Sequence, residues 1–119
     1  MFVYIIFVYI IYYKQNMHFK QKYHWGPYLW SFIHIITISD ANNLEYNTHV
    51  KNILESLTNI IPCPTCVQTY KEHLTLLNEK DLSKPMVLFY WSIDLHNLVN
   101  CKLNKKQLSY DEALRLWTL

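Results

Sequence analysis

The chain has 119 residues, enough for one domain around one hydrophobic core and too few for a separate cofactor domain. Ten tyrosines and four tryptophans make it rich in wide, flat side chains, which suit a dense core or a pocket for a planar ligand. A net charge of +2 calls for no nucleic-acid partner, and a single glycine, Gly26, excludes a G-x-G-x-x-G fingerprint and a phosphate-cradling P-loop. Any nucleotide has to be held by side chains and helix surfaces.

Residues 1–17 differ from the rest. The run MFVYIIFVYIIYYKQN is apolar up to its first charge, Lys14. It is short of the roughly 20 residues a spanning helix wants, and it lacks the basic start and small-residue cleavage site of a secretory signal. It reads as a membrane anchor through 2–13, an uncleaved signal-like segment, or an upstream extension of a chain that starts at Met17. The functional domain is placed at 18–119.

Beyond it the pattern is helical, with no convincing strand-and-turn alternation. A first helix is expected from Pro27 to Ser39, with proline in its first turn and Trp30, Ile33, His34, Thr37 and Ile38 on one face. After the polar loop Asp40–Asn43, a second helix covers Glu45 to Ile60, with Val50, Ile53, Leu54, Leu57 and Ile61 as its apolar stripe. Pro62 disfavours α geometry at Ile61 and ends it.

Pro64 suits the first turn of a third helix, making Cys63 its N-cap and Cys66 its third residue. Val67, Tyr70, Leu74 and Leu77 form the buried face. A polar stretch from Asn78 to Lys84 leads to Pro85 and a long fourth helix ending near Leu103. Ser109 and Glu112 make a capping box that opens a short fifth helix, with Tyr110, Ala113, Leu114 and Trp117 on one side. The fold class is all-α: a four-helix bundle with a terminal helix packed across it.

Cys63-Pro64-Thr65-Cys66 admits three chemistries. A structural zinc site needs four ligands, and neither Cys101 nor the scattered histidines complete a common zinc spacing, so no metal is assigned. A c-type haem site needs histidine after the second cysteine, where Val67 stands. A redox disulfide needs only the pair. At a helix N-terminus the first-turn N–H groups and the helix dipole favour a thiolate and lower its pKa below about 8.5. Two reduced cysteines capping a helix remain the plain alternative. A thioredoxin-like pair would follow a strand, whereas the preceding segment reads as helix.

A dithiol in a helical bundle needs an electron acceptor. The fourth helix carries His96, Asn97 and Asn100 in a stripe otherwise apolar through Phe89 and Ile93. Polar groups are costly to bury without partners, so these mark a site or an internal network. His34 one turn after Trp30, and Trp117 on the fifth helix, add imidazole and aromatic planes. Together they could stack on an adenine and hydrogen-bond its edge, leaving Lys102, Lys105 and Lys106 for a diphosphate.

Three segments carry a resemblance: Trp25-Gly26-Pro27-Tyr28-Leu29-Trp30-Ser31-Phe32-Ile33-His34, Pro62-Cys63-Pro64-Thr65-Cys66, and His96-Asn97-Leu98-Val99-Asn100-Cys101-Lys102-Leu103-Asn104-Lys105. In order and separation they resemble the Erv/ALR flavin-linked sulfhydryl oxidases over nearly all of 24–117. The single-domain form is similar to oxidases of large DNA viruses, for which host cytoplasm or virion would be the location. The resemblance implies FAD bound non-covalently in the bundle, usually in a homodimer. It implies that Trp30 and His34 contact the cofactor and that Cys63 and Cys66 face its isoalloxazine ring. His96, Asn97, Val99, Asn100, Leu103 and Lys105 would line the adenine and diphosphate side, with Trp117 closing it. Cys66 would lie against the flavin. Cys63 would take electrons from thiols of a protein substrate or a thioredoxin-like partner, with O2 as final acceptor and hydrogen peroxide as product.

The chain also departs from the family. With three cysteines it carries no internal shuttle pair and no structural pair on the last helix, so substrate thiols must reach Cys63 directly. Cys101 reads as a free thiol or an intermolecular link. Ile38 and Ser39 replace aromatic residues that follow the first-helix histidine in relatives.

Overall fold

The computed structural model describes residues 22–118. The apolar segment 1–17, with its anchor reading at 2–13 and its alternative start at Met17, lies outside the described residues. Among the described residues every regular element is helical, in the order α1 (Lys22–Ile38), α2 (Leu44–Ser56), α3 (Pro64–Leu74), α4 (Val87–Lys102) and α5 (Tyr110–Trp117). Short 3-10 turns, Leu57–Asn59 and Thr75–Glu79, follow α2 and α3. The all-α class, the short fifth helix and the CxxC pair opening the third helix are as expected. No described helix is long and apolar enough to cross a membrane.

Two helix limits differ from the sequence reading for local steric reasons. α1 begins at Lys22 rather than Pro27, so the proline lies inside it. The clash that normally keeps the residue before proline out of the α region involves that residue's Cβ, and Gly26 has none. α2 gives up α geometry at Ser56, and a 3-10 turn carries the chain on toward Pro62. The tighter turn changes the angular spacing of the apolar stripe. Ile61, beyond the turn, is only half-buried; within α2, Val50 and Leu54 are buried as expected, as is Leu57 in the turn, while Ile53 lies at the edge of the stripe and is 42% exposed.

The chain divides into two units between Trp30 and Ser31, a point inside α1. In the first, His24 is buried and Trp25, Tyr28 and Trp30 are half-buried. In the second, cross-helix bonds tie each helix to its neighbours. Tyr46 Oη of α2 donates to the Ile36 carbonyl of α1. Tyr70 Oη of α3 donates to the Leu54 carbonyl of α2. On α3 and α4, Trp91 Nε1 donates to the His73 carbonyl at 3.2 Å while His73 Nε2 faces the Trp91 carbonyl at 3.3 Å. Lys102 Nζ reaches Thr69 Oγ1, so that, with His73 beside Trp91, α3 and α4 run antiparallel.

α5 packs on α4 through Ala113 against buried Phe89 and Ile93, with Ile38, Leu114 and Trp117 around them. Its N-terminus is the predicted capping box: Ser109 Oγ accepts from the Glu112 amide and Glu112 from the Ser109 amide, both at 3.1 Å. α4 ends on Asn104, whose φ of 56° is left-handed. There the Lys105 amide bonds the Asn100 carbonyl at 2.7 Å and the Asn104 amide bonds the Cys101 carbonyl at 3.2 Å. That is a Schellman motif, with asparagine where glycine is commonest.

Candidate redox and cofactor site

Cys63 is the N-cap of α3 with extended backbone (φ −148°), and Pro64 is the first helical residue. Proline is at home there because the N–H it lacks would have had no intrahelical partner. The helical turn brings the Cα atoms of Cys63 and Cys66 to 5.2 Å, and their sulfurs are joined as a disulfide. Cys63 Sγ accepts from the Cys66 amide at 3.3 Å and lies 3.4 Å from Thr65 Oγ1. Cys63 is 8% exposed and Cys66 half-buried. The N-terminal end of a helix favours negative charge, so a sulfur released from this bond is held where a thiolate is stable.

A second constellation lies where α1, α4 and α5 converge. His34 is 1% exposed and its ring meets that of His96 edge to edge, centroids 5.1 Å apart and planes within 18°. The Trp117 ring stands 5.2 Å from His34, tilted by 47°. His34 Nδ1 lies 3.0 Å from Ser92 Oγ, and His34 Nε2 lies 2.8 Å from His96 Nδ1. Ser92 gives its hydroxyl proton to the Phe89 carbonyl, so it accepts from His34 Nδ1–H. His34 Nε2 is then the acceptor for His96 Nδ1–H, which leaves His96 Nε2 in its acceptor form. Burial, reinforced by the adjoining His96, lowers the His34 pKa to about 4. Burial and then the positive charge of Lys105 lower that of His96. Both rings are therefore neutral near pH 7.

These rings border a cavity of about 60 Å³, lined by His34, Ile93, His96, Asn97, Asn100, Leu108, Leu116 and Trp117. Beyond Leu108 and Leu116, an open groove of about 360 Å³ runs along Glu112 and Arg115. The asparagines also have backbone work. Asn97 brackets Leu108, its Nδ2 donating to the carbonyl at 2.7 Å and its Oδ1 accepting from the amide at 2.9 Å. Asn100 Nδ2 donates to the Lys106 carbonyl at 3.2 Å. The loop after α4 is thus tied back to α4, and with it the entry to α5.

Of the residues singled out from sequence, His34, His96, Asn97, Asn100 and Trp117 share this cavity. Half-buried Val99, the α4 C-cap Leu103 (54% exposed) and exposed Lys105 stand outside its lining, as do Cys63 and Cys66. Trp30 belongs to the first unit. Cys101 is an exposed free thiol. Sequence reasoning missed Ser92, Leu108, Leu116 and Thr65. Ser92 lies one turn before His96 and Leu108 directly before the Ser109 cap, at the hydrophobic-staple position, so helical spacing and cap logic could have found both. Among the described residues no three His, Cys, Asp or Glu side chains gather as a metal-ligand set.

A CxxC disulfide capping a helix within an all-helical bundle is the arrangement of a thiol–disulfide redox protein. The family model described as "Erv1 / Alr family" matches residues 27–118. The chain belongs to that family. A protein of Acanthamoeba polyphaga mimivirus, named as a probable FAD-linked sulfhydryl oxidase, is 34% identical over 98 residues, covering 76% of this chain and 66% of its own length. FAD-linked sulfhydryl oxidases of two African swine fever virus isolates, from a pig and a warthog, are 38% and 37% identical over 105 residues, covering 79% of this chain and 80% of theirs. No solved structure gives a significant match.

Proposed function

We propose that this chain is an FAD-linked thiol oxidase. It forms disulfide bonds in protein substrates through Cys63 and Cys66 and delivers the electrons through FAD to O2, giving hydrogen peroxide. The observation that carries this is the bonded Cys63–Cys66 pair at the mouth of α3 in a chain of the Erv1/Alr family. The relatives' names supply the cofactor and the reaction class.

The side chains suit a flat, nitrogen-rich ligand. Two neutral, hydrogen-bonded imidazoles, the acceptor nitrogen of His96, the Trp117 ring and two carboxamides converge on one cavity. At about 60 Å³ that cavity is well below the ~300 Å³ where ligand sites begin, so its Leu108, Leu116 and Trp117 wall has to yield to admit a dinucleotide. His34, His96, Asn97, Val99, Asn100, Leu103, Lys105 and Trp117 are the residues assigned to hold FAD. When bound, FAD supplies the two-electron acceptor that thiols need to reach oxygen.

The protein's own part is thiol–disulfide exchange. A substrate thiolate attacks Cys63 Sγ and displaces Cys66. A second substrate thiolate then attacks the substrate sulfur of that mixed disulfide and expels Cys63. The catalytic domain is taken as 18–119, and the working form as a homodimer fed by substrate thiols or a thioredoxin-like partner. Segment 2–13 is proposed as a membrane contact.

Absorbance of the purified protein from the near-ultraviolet to the blue, repeated after anaerobic dithiothreitol, tests the reading. A yellow protein that bleaches with dithiothreitol and recovers in air is expected. A colourless protein that takes up no FAD, or one that releases zinc to a chelator, overturns it.

A further inference from the structure

Thiol–disulfide exchange turns on how well each sulfur carries negative charge, and the two sulfurs of the pair are not equally provided for. Cys63 is 8% exposed, so its sulfur depends on protein donors more than on water. Pro64 removes one amide from the first turn of α3. The Cys66 amide points at Cys63 Sγ at 3.3 Å, and Thr65 Oγ1 stands 3.4 Å from the same sulfur. A disulfide sulfur has no proton to give, so in this contact the hydroxyl donates.

We propose that the Thr65 hydroxyl is a catalytic hydrogen-bond donor to Cys63, completing with the Cys66 amide a two-donor cradle for the Cys63 thiolate. The proposal rests on the oxidase reading for the exchange reaction it serves. In the release step a second substrate thiolate attacks the substrate sulfur of the Cys63 mixed disulfide. A substrate S–S bond forms, the substrate–Cys63 bond breaks, and the electron pair leaves on Cys63 Sγ. Two substrate thiols are oxidised and the enzyme pair is reduced, with no outside reagent. A better-stabilised leaving thiolate departs faster and shifts the pair toward its reduced form. Thr65 is itself exposed, so its hydroxyl serves this purpose without a packing role.

Thr65→Val keeps the side-chain shape and removes the donor, whereas Thr65→Ser keeps it. Holoenzyme is equilibrated anaerobically in glutathione buffers of graded ratio, quenched by alkylation, and the Cys63–Cys66 peptide weighed by mass spectrometry. A hydrogen bond to a charged sulfur is expected to move this equilibrium about tenfold, so Thr65→Val favours the disulfide by that factor. For a two-electron couple that is about 30 mV more reducing. Thr65→Ser should stay close to wild type. A Thr65→Val equilibrium within about twofold of wild type, or a Thr65→Ser shift as large as that of valine, overturns the proposal. Oxygen uptake is recorded separately: an oxygen-inert protein would sink the oxidase reading and leave the thiol equilibrium measurable.

Discussion

His34 illustrates what a single residue can and cannot disclose. Its place one turn after Trp30 marked it as a polar member of a buried face, but the partner that explains it, Ser92, stands 58 residues away. Its pKa is lowered from 6.5 to about 4, chiefly by burial. Unfolded His34 therefore takes a proton that the folded residue refuses between those values. Stability contributed by the neutral ring is complete above pH 6.5 and is lost as pH falls toward 4. Melting temperature should accordingly drop across that window. His34→Gln, which keeps a polar group but cannot titrate, should flatten the drop, as differential scanning fluorimetry at stepped pH would read. The place of Cys66 was legible, because spacing and Pro64 put both sulfurs at a helix mouth, while its role toward the flavin came from the family resemblance. Cys66→Ala should abolish thiol-dependent oxygen uptake while the protein stays yellow; retained uptake in an oxygen electrode would remove the pair from the mechanism. Thr65 was illegible because its significance is a contact to a sulfur, which residue type alone does not announce.

At the scale of elements, caps were the most readable features and internal bends the least. Ser109 and Glu112 declared α5 because a capping box is a local bargain between two residues and two amides. The start of α1 was misplaced because proline usually opens helices, and the release granted by Gly26 is a sterics argument about one missing atom. The end of α2 blurred into a 3-10 turn, and Ile61 beyond it is only half-buried. The α5 cap also bears on the site, since it aims Trp117 and Leu116 at the cavity wall. Ser109→Ala should cost about 1 kcal/mol in urea unfolding. Its cost in cofactor retention should exceed that of an exposed substitution such as Arg115→Ala. Gel filtration with the flavin-to-protein absorbance ratio would show it. Equal retention by both variants would mean that α5 does not shape the site.

For the molecule as a whole, three sequence segments on α1, α3 and α4 carried the family pattern, yet the meeting of His34, His96, Asn97 and Asn100 at one cavity is a tertiary fact. Asn97 and Asn100 are a case in point. Read as ligand donors, they also tie the loop 103–109 to α4, so one motif both faces the cavity and holds its wall. A wall made by a bracketed loop and an eight-residue helix can open at modest cost, because few backbone bonds have to break. Cofactor binding should then tighten the fold by mass action. At an FAD concentration about a hundred times its Kd, one-site linkage gives about 2.7 kcal/mol of added stability and a raised melting temperature. Trp117 belongs to both the α5 core cluster and the cavity lining, so Trp117→Ala loses packing whether or not ligand is present. The informative quantity is the FAD-induced increment rather than the melting temperature itself. That increment should shrink strongly in Trp117→Ala at the same FAD concentration and persist in Ile60→Ala, since Ile60 is exposed and outside the lining. An undiminished increment in Trp117→Ala would place the cofactor elsewhere in the bundle. A loss in Ile60→Ala as well would mean that the increment reports general stability rather than the site.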